Sequence, residues 1–375
     1  MNMKKFIIRF LLICSPFVVL YAYPMLRYAH GESFGDLSQL GSYFFHKDYI
    51  SMMAYDPGFK RHVVLAEDIT KEVNDSDVVV IGDSFTQLGY NNFMEYLQDG
   101  CPNRTIYGVH TYRYGMEWHY AHLSLEGSDK VLDFPGKADV VLYLLHHAKR
   151  LPSTIVIESS EMWLMESIIK ANFDVCEDSL KEYEGAPLLP SVEKYEIYTQ
   201  KLVQLDALKC LLDGRAFRFA QDWVKHKSGV SECLVKTSAL SQPMFNCKGN
   251  ESTLYYLPYM LNWSETDIET MRSRMAQIVE EGDKRGVNIV YMILPLKEHL
   301  YKEYMLTAGP QATYLSDHLT DLADNPHYLL CYPILKDMLE RGEQDVFLCS
   351  DTHWSYKGAQ ACAEALQSKI KSAGQ

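Results

Sequence analysis

The stretch DVVVIGDSFTQLGY, from Asp77 to Tyr90, decides how the chain is read. Val78, Val79, Val80 and Ile81 are β-branched and follow one another without a polar break, the pattern of a strand covered on both faces, as central parallel strands are. The run stops at Gly82, after which apolar residues at Phe85, Leu88, Phe93 and Leu97 are spaced as on one side of a helix. Between the two patterns stand Asp83 and Ser84. A hydroxyl is therefore expected at a strand-to-helix turn, at the carboxyl edge of a strand, where open α/β sheets bind their ligands. Taken alone, Gly-Asp-Ser is also ordinary turn chemistry in which Ser or Asp caps a helix.

Moving outward, strand-like runs recur at 105–109, 154–157, 287–294 and 328–331, with a short one at 346–348. Helical patterns cover 266–285 and 355–370, while 138–150 fits either state because 140–145 is unbroken apolar sequence. Alternating strands and helices predict an α/β fold, a three-layer α/β/α sandwich around a mainly parallel sheet. Residues 175–262 break the rhythm with a helical stretch at 192–225, a polar loop through Cys233 and Cys247, and the aromatic run LYYLPYMLNW. They read as an insertion or cap within a domain spanning 62–375, and residues 24–61 read as a stalk.

With 47% hydrophobic and 23% charged residues, the chain of 375 residues has globular composition. Its net charge of −13 and lack of a long basic run argue against nucleic acid as a partner. Lys4 and Lys5 precede an apolar window at 6–23, in which Arg9 is the only charge and which is just long enough to cross a bilayer. The positive flank predicts that the chain beyond this window is exported. Tyr21-Ala22-Tyr23-Pro24 offers no small-x-small cleavage site, so 1–23 reads as a retained signal anchor rather than a cleaved peptide. The expected location is the inner or plasma membrane, single-pass, with the domain on the periplasmic or extracellular side. Of the 9 cysteines, Cys233 and Cys247 are the plausible local pair, whereas Cys331 and Cys349 read as free, buried small hydrophobes. Neither CxxC nor HExxH occurs, so no metal site is expected, and no cofactor.

A second motif changes the weight of the first. In FLCSDTHWSYKGAQACAEAL, from Phe347 to Leu366, an acid and a histidine stand two residues apart before a C-terminal helix. Residues i and i+2 of an extended segment face the same way, which lets Asp351 reach the Nδ1 side of His353. The plainer alternative makes Asp351 or Ser355 a helix cap and His353 a surface residue. A serine becomes a nucleophile when a base takes its proton, and a carboxylate fixes that base's tautomer; Ser84, His353 and Asp351 supply the set. The serine and histidine are 269 positions apart, yet both belong to the carboxyl rim of such a sheet. Asp83, adjacent to the nucleophile, points elsewhere at such a turn and is expected to hydrogen-bond the loop backbone.

GDSF near the start of the domain and DTHW near its end resemble the SGNH (GDSL-type) hydrolases, and more closely their branch of polysaccharide O-acetylation proteins. The segments IVIESSE, 155–161, and PLKEHLY, 295–301, are similar to that branch too. The resemblance covers about 77–161 and 287–370 and implies a flavodoxin-like sheet, with Ser84 as nucleophile, His353 as base and Asp351 as its orienter. It also implies acetyl transfer to or from a carbohydrate through an acyl-serine, with a membrane-bound O-acyltransferase as possible partner. Two features depart from the pattern. Asp-x-His comes after the serine instead of preceding it, and the superfamily's GxND block is missing, so oxyanion donors beyond the Ser84 amide must come from elsewhere. Arg113, on the loop after the 105–109 strand, is the candidate, with the Gly108 amide behind it; a surface pairing of Arg113 with Glu117 is the alternative. Glu158 and Glu161 read as structural groups of the rim, and Trp354 as packing or, less simply, a platform for a sugar ring. Competing readings are a catalytically inactive scaffold or glycan-binding protein of an O-acylation complex, and a lipid or thioester hydrolase.

Overall fold

The structure, a computed structural model, describes residues 10, 14–16, 75–83, 85–86, 93–114, 117–125, 128–132, 136–169, 236–246, 250–257, 262–309, 312–349 and 351–372. Strand β1 (Val78–Gly82) is buried at every position. Its two sides feed two separate cores. Val79 and Ile81 pack with helices α2 (Lys137–His147), α3 (Glu161–Ile169) and α4 (Glu265–Asp283). Val78 and Val80 pack with α1 (Phe93–Gly100), α6 (Cys331–Glu340) and α7 (Tyr356–Ser372). That double covering is why the β1 sequence is apolar throughout instead of alternating.

β1 pairs in parallel with β2 (Ile106–Tyr114) on one side and β5 (Thr154–Ser160) on the other, and β8 (Asn288–Leu294) and β9 (Tyr328–Leu330) extend the sheet in parallel beyond β5. β3 (Glu117–Leu125) and β4 (Ser128–Leu132) add two antiparallel strands outside β2, giving the order β4-β3-β2-β1-β5-β8-β9. The α/β fold with a mainly parallel sheet is thus as the sequence indicates. The chain passes from β1 to one side and later returns to the other, so the crevice at the carboxyl ends of β1 and β5 is a topological switch point.

Several local expectations change. The 138–150 segment is helix α2, whose residues from Lys137 to Leu145 are all buried, and burial on every side removes the amphipathic period that would have marked it. The hairpin partner β3 and the edge strand β4 were not expected from the sequence. The 346–348 run is not a strand; Phe347 forms a single bridge with Trp354. A two-stranded sheet of β6 (Lys236–Ala239) and β7 (Thr253–Tyr256) lies within the expected insertion, and Leu254 and Tyr256 join the second core. The remainder of that insertion, the stalk, nearly all of the apolar segment at 6–23, and Cys233 and Cys247 lie outside the described residues. Among the described residues no helix is long and apolar enough to cross a membrane. Cys331 and Cys349 are buried thiols outside any disulfide, as their surroundings suggested.

Candidate active site

At the end of β1, Gly82 lets the chain turn where no side chain fits. A Cβ there would stand 2.0 Å from Thr86 Oγ1 and 2.6 Å from Glu158 Oε2. Asp83 comes next, and its Oδ1 accepts the Phe85 amide at 3.1 Å, the local backbone bond expected of it. The residues on either side of position 84 are therefore tied together; Ser84 itself lies outside the described residues.

Beneath the turn is an ionic cluster. Lys137 opens α2, which reaches the same rim, and its ammonium is fully buried. It donates to Asp83 Oδ2 at 3.0 Å and to the Glu158 carbonyl at 2.5 Å, and lies 3.7 Å from Glu158 Oε2. Glu158, level with Met292 on β8, accepts the Asp83 amide at 2.9 Å through Oε2, while its Oε1 is buried without a hydrogen-bond partner. The two carboxyls respond oppositely to one cation. Burial opposes ionisation of Asp83, but Lys137 above all, then the Phe85 amide and the charge of His353, outweigh it and hold this carboxyl below its ordinary value. Burial and the nearby Asp83 charge push Glu158 up to about 8 against the more distant pull of Lys137. Glu158 is thus mainly protonated at neutral pH, one proton and one ammonium serving two acids.

The other half of the site comes from the end of the chain. Asp351 and His353 are both buried, and Asp351 Oδ1 accepts the His353 amide at 2.9 Å and meets His353 Nδ1 at 2.5 Å. A carboxylate only accepts, so the imidazole carries its hydrogen on Nδ1 and Nε2 is left as the basic nitrogen. The loop is closed by the Leu348 amide on the His353 carbonyl at 3.0 Å and by the Ser355 amide on the Val346 carbonyl at 3.0 Å. Ser355 Oγ accepts the Lys357 amide at 3.1 Å, so the cap of α7 is Ser355 and Asp351 is left for the histidine.

The two halves meet through residues next to Ser84. The Phe85 ring is 4.7 Å from the His353 ring, and the Phe85 carbonyl accepts Trp354 Nε1 at 3.1 Å across 269 positions. Trp354 is fully buried, stacked on Phe93 with ring centroids 5.5 Å apart. The sugar-platform reading of Trp354 is therefore corrected: its faces are used by the core and its N–H by the serine turn. Arg113 is also relocated, because β2 runs on to Tyr114 and places it within the strand, paired with Trp118 after a register shift, rather than on a loop. Since His110 is level with Gly82, Arg113 remains on the carboxyl side of the β1 end. Gly108 sits lower, level with Val80 and two residues short of that end, so its amide is below the rim.

Glu161 has the structural role expected of it. Its carboxylate accepts the amides of Leu296 at 2.8 Å and Ser316 at 3.1 Å and meets His299 Nδ1 at 2.8 Å, while the His299 ring is stacked between Tyr314 and Tyr332. Sequence reasoning missed Lys137 and Lys297. The available signal was a lysine shortly before the unbroken apolar run 140–145 in the first case, and in the second a lysine three positions after the end of a buried strand. Among the described residues no cluster of His, Cys, Asp and Glu is arranged to hold a metal.

Comparison with known proteins points the same way. A family model described as an SGNH hydrolase-like domain, acetyltransferase AlgX, matches residues 248–375, which include Asp351 and His353. The probable alginate O-acetylase AlgJ of Pseudomonas aeruginosa is 32% identical over 96 residues, 25% of this chain and 25% of that protein. The chain thus matches about a quarter of the length of this curated relative. No solved structure matches. The likeness to the alginate-type O-acetyltransferase branch of the SGNH hydrolases, first visible in GDSF and DTHW, is carried by both matches.

Proposed function

We propose that the protein is an exported, membrane-anchored enzyme that transfers or removes acetyl groups on a carbohydrate through an acetyl-serine at Ser84. The observation that carries this reading is the buried Asp351–His353 pair, with the imidazole against Phe85, the residue after the serine. In the first step Ser84 Oγ attacks the ester carbonyl and its proton passes to His353 Nε2, while Asp351 stabilises the imidazolium. The tetrahedral oxyanion collapses, the C–O bond to the leaving alcohol breaks, and that alcohol takes the proton from His353. A sugar hydroxyl or water then attacks the acetyl-serine, gives its proton to His353 and releases Ser84, which recovers that proton. Transfer and hydrolysis differ only in the acceptor. Arg113 and the Ser84 amide are the proposed oxyanion donors, and a membrane-bound O-acyltransferase the proposed source of acetyl groups. Support for a carbohydrate acceptor comes from the AlgX-type domain match and the AlgJ likeness.

The test is hydrolysis of p-nitrophenyl acetate by the full-length chain in detergent. Ser84→Ala and His353→Ala should each lower kcat by about 10³-fold or more, and Asp351→Asn by less. Undiminished turnover in Ser84→Ala removes Ser84 from the mechanism.

A further inference from the structure

One buried side chain under the histidine loop has no part in that scheme. Lys297 opens helix α5 (Lys297–Tyr301), which Pro295 and Leu296 join to β8, and is 3% exposed. Its Nζ donates to the carbonyls of Leu348 at 2.6 Å, Cys349 at 2.7 Å and Asp351 at 3.0 Å. An ammonium has three N–H donors and no acceptor, and these three carbonyls match them. These three residues lie within four positions of one another, and their carbonyl oxygens converge on a single point. The same nitrogen also lies over the buried Phe245 ring, 5.2 Å from its centroid. Two residues beyond the last carbonyl stands His353, whose own carbonyl closes the loop on Leu348.

We infer that Lys297 is a positioning residue for the reaction: its ammonium sets the curvature of the 348–353 loop and thereby where His353 presents its imidazole to the serine turn. The inference rests on the Ser84–His353–Asp351 reading. A displacement of about 1 Å at a reacting group can cost about 10²-fold in rate. A neutral side chain of similar length fills the space and leaves three buried carbonyls facing one another. Arginine brings a charge, but its planar fork does not converge on three oxygens as an ammonium does.

The experiment compares Lys297→Met, Lys297→Arg and Lys297→Ala in the full-length chain, with melting curves and p-nitrophenyl acetate kinetics. The expected result is a fall in kcat of about 10²-fold with KM changed less than about threefold. Ethylammonium should restore Lys297→Ala at least about fivefold by occupying the three-carbonyl pocket, while ethanol should not. Cation-selective recovery is not expected if Lys297 acts as packing alone. If Met and Ala variants fail to fold, Lys297→Gln, which keeps two N–H donors without the charge, gives the reading: reduced kcat at unchanged KM supports the inference. Wild-type kcat in any folded neutral variant, or recovery by ethanol equal to that by ethylammonium, overturns it. Ser84→Ala separates the two ideas, since activity there defeats the acyl-serine reading, whereas an inactive Ser84→Ala beside fully active Lys297 variants defeats only the role of Lys297.

Discussion

Lys137 under the serine turn and Lys297 under the histidine loop are both buried, yet the former faces two carboxyl groups besides one carbonyl and the latter faces three carbonyls. Each ammonium is satisfied, but by different physics. Around Lys137 the charges can change: Asp83 is held ionised, Glu158 is held protonated, and the pair shares one cation. Around Lys297 the three carbonyl acceptors are permanent dipoles with no proton to gain or lose. The serine half therefore carries carboxyls whose charge changes with pH, while the three carbonyls that hold Lys297 neither gain nor lose a proton. Two halves that meet at one rim need not be stabilised in the same way.

The largest loss of stability is expected at Lys137. Lys137→Met leaves Asp83 buried beside a second acid without its cation, and removing one partner of a buried pair costs about 3–5 kcal/mol. Denaturant unfolding should show a loss of that order. A loss under about 1 kcal/mol would mean that the ammonium is not what holds the turn.

Glu158→Gln sharpens the contrast. The folded carboxyl keeps its proton to about pH 8, whereas the unfolded chain releases it near 4.5. Between those values the folded state binds more protons, so this group makes stability fall as pH rises, with the fall complete above about 8. Asp83 works in the opposite sense: its contribution is present above its unfolded value of 3.8 and is lost as the pH falls through its lowered folded value. Replacing Glu158 by Gln should flatten stability between pH 4.5 and 8, by up to about 1.4 kcal/mol per pH unit for one proton. Parallel curves for wild type and variant would show that Glu158 ionises normally.

The smallest expected effect is at the junction. Trp354→Phe removes the bond to the Phe85 carbonyl and part of the stack on Phe93, for a cost of about 1–3 kcal/mol. If the halves are coupled through this indole, the variant also loses turnover; unchanged turnover at reduced stability would make Trp354 a packing residue only.

Much of this arrangement is legible in the sequence because it is local. VVVIGDSF carries the strand, the glycine turn and the serine within eight residues, and Asp351 and His353 are close enough for spacing to pair them. Helix α2 was ambiguous because complete burial erases the periodicity that distinguishes helix from strand. The β3–β4 hairpin escaped because an antiparallel addition at a sheet edge depends on register with β2, which no local pattern of EWHYAHLSL announces. The lysines were illegible for a different reason. A lysine reads as exposed unless its acceptors are known, and those of Lys137 and Lys297 lie up to 54 positions away. Their burial is a property of the topology. Trp354 was legible as packing or platform, and only the stacked Phe93 decides between them.

Activation of Ser84 by His353 is open to covalent labelling of the hydroxyl. Full-length protein treated with a fluorophosphonate should be modified at Ser84, and His353→Ala should slow that modification by about 10²-fold or more at an unchanged melting temperature. Folded wild-type protein that remains unlabelled at Ser84, or is labelled equally fast without the imidazole, would show that His353 does not activate this serine.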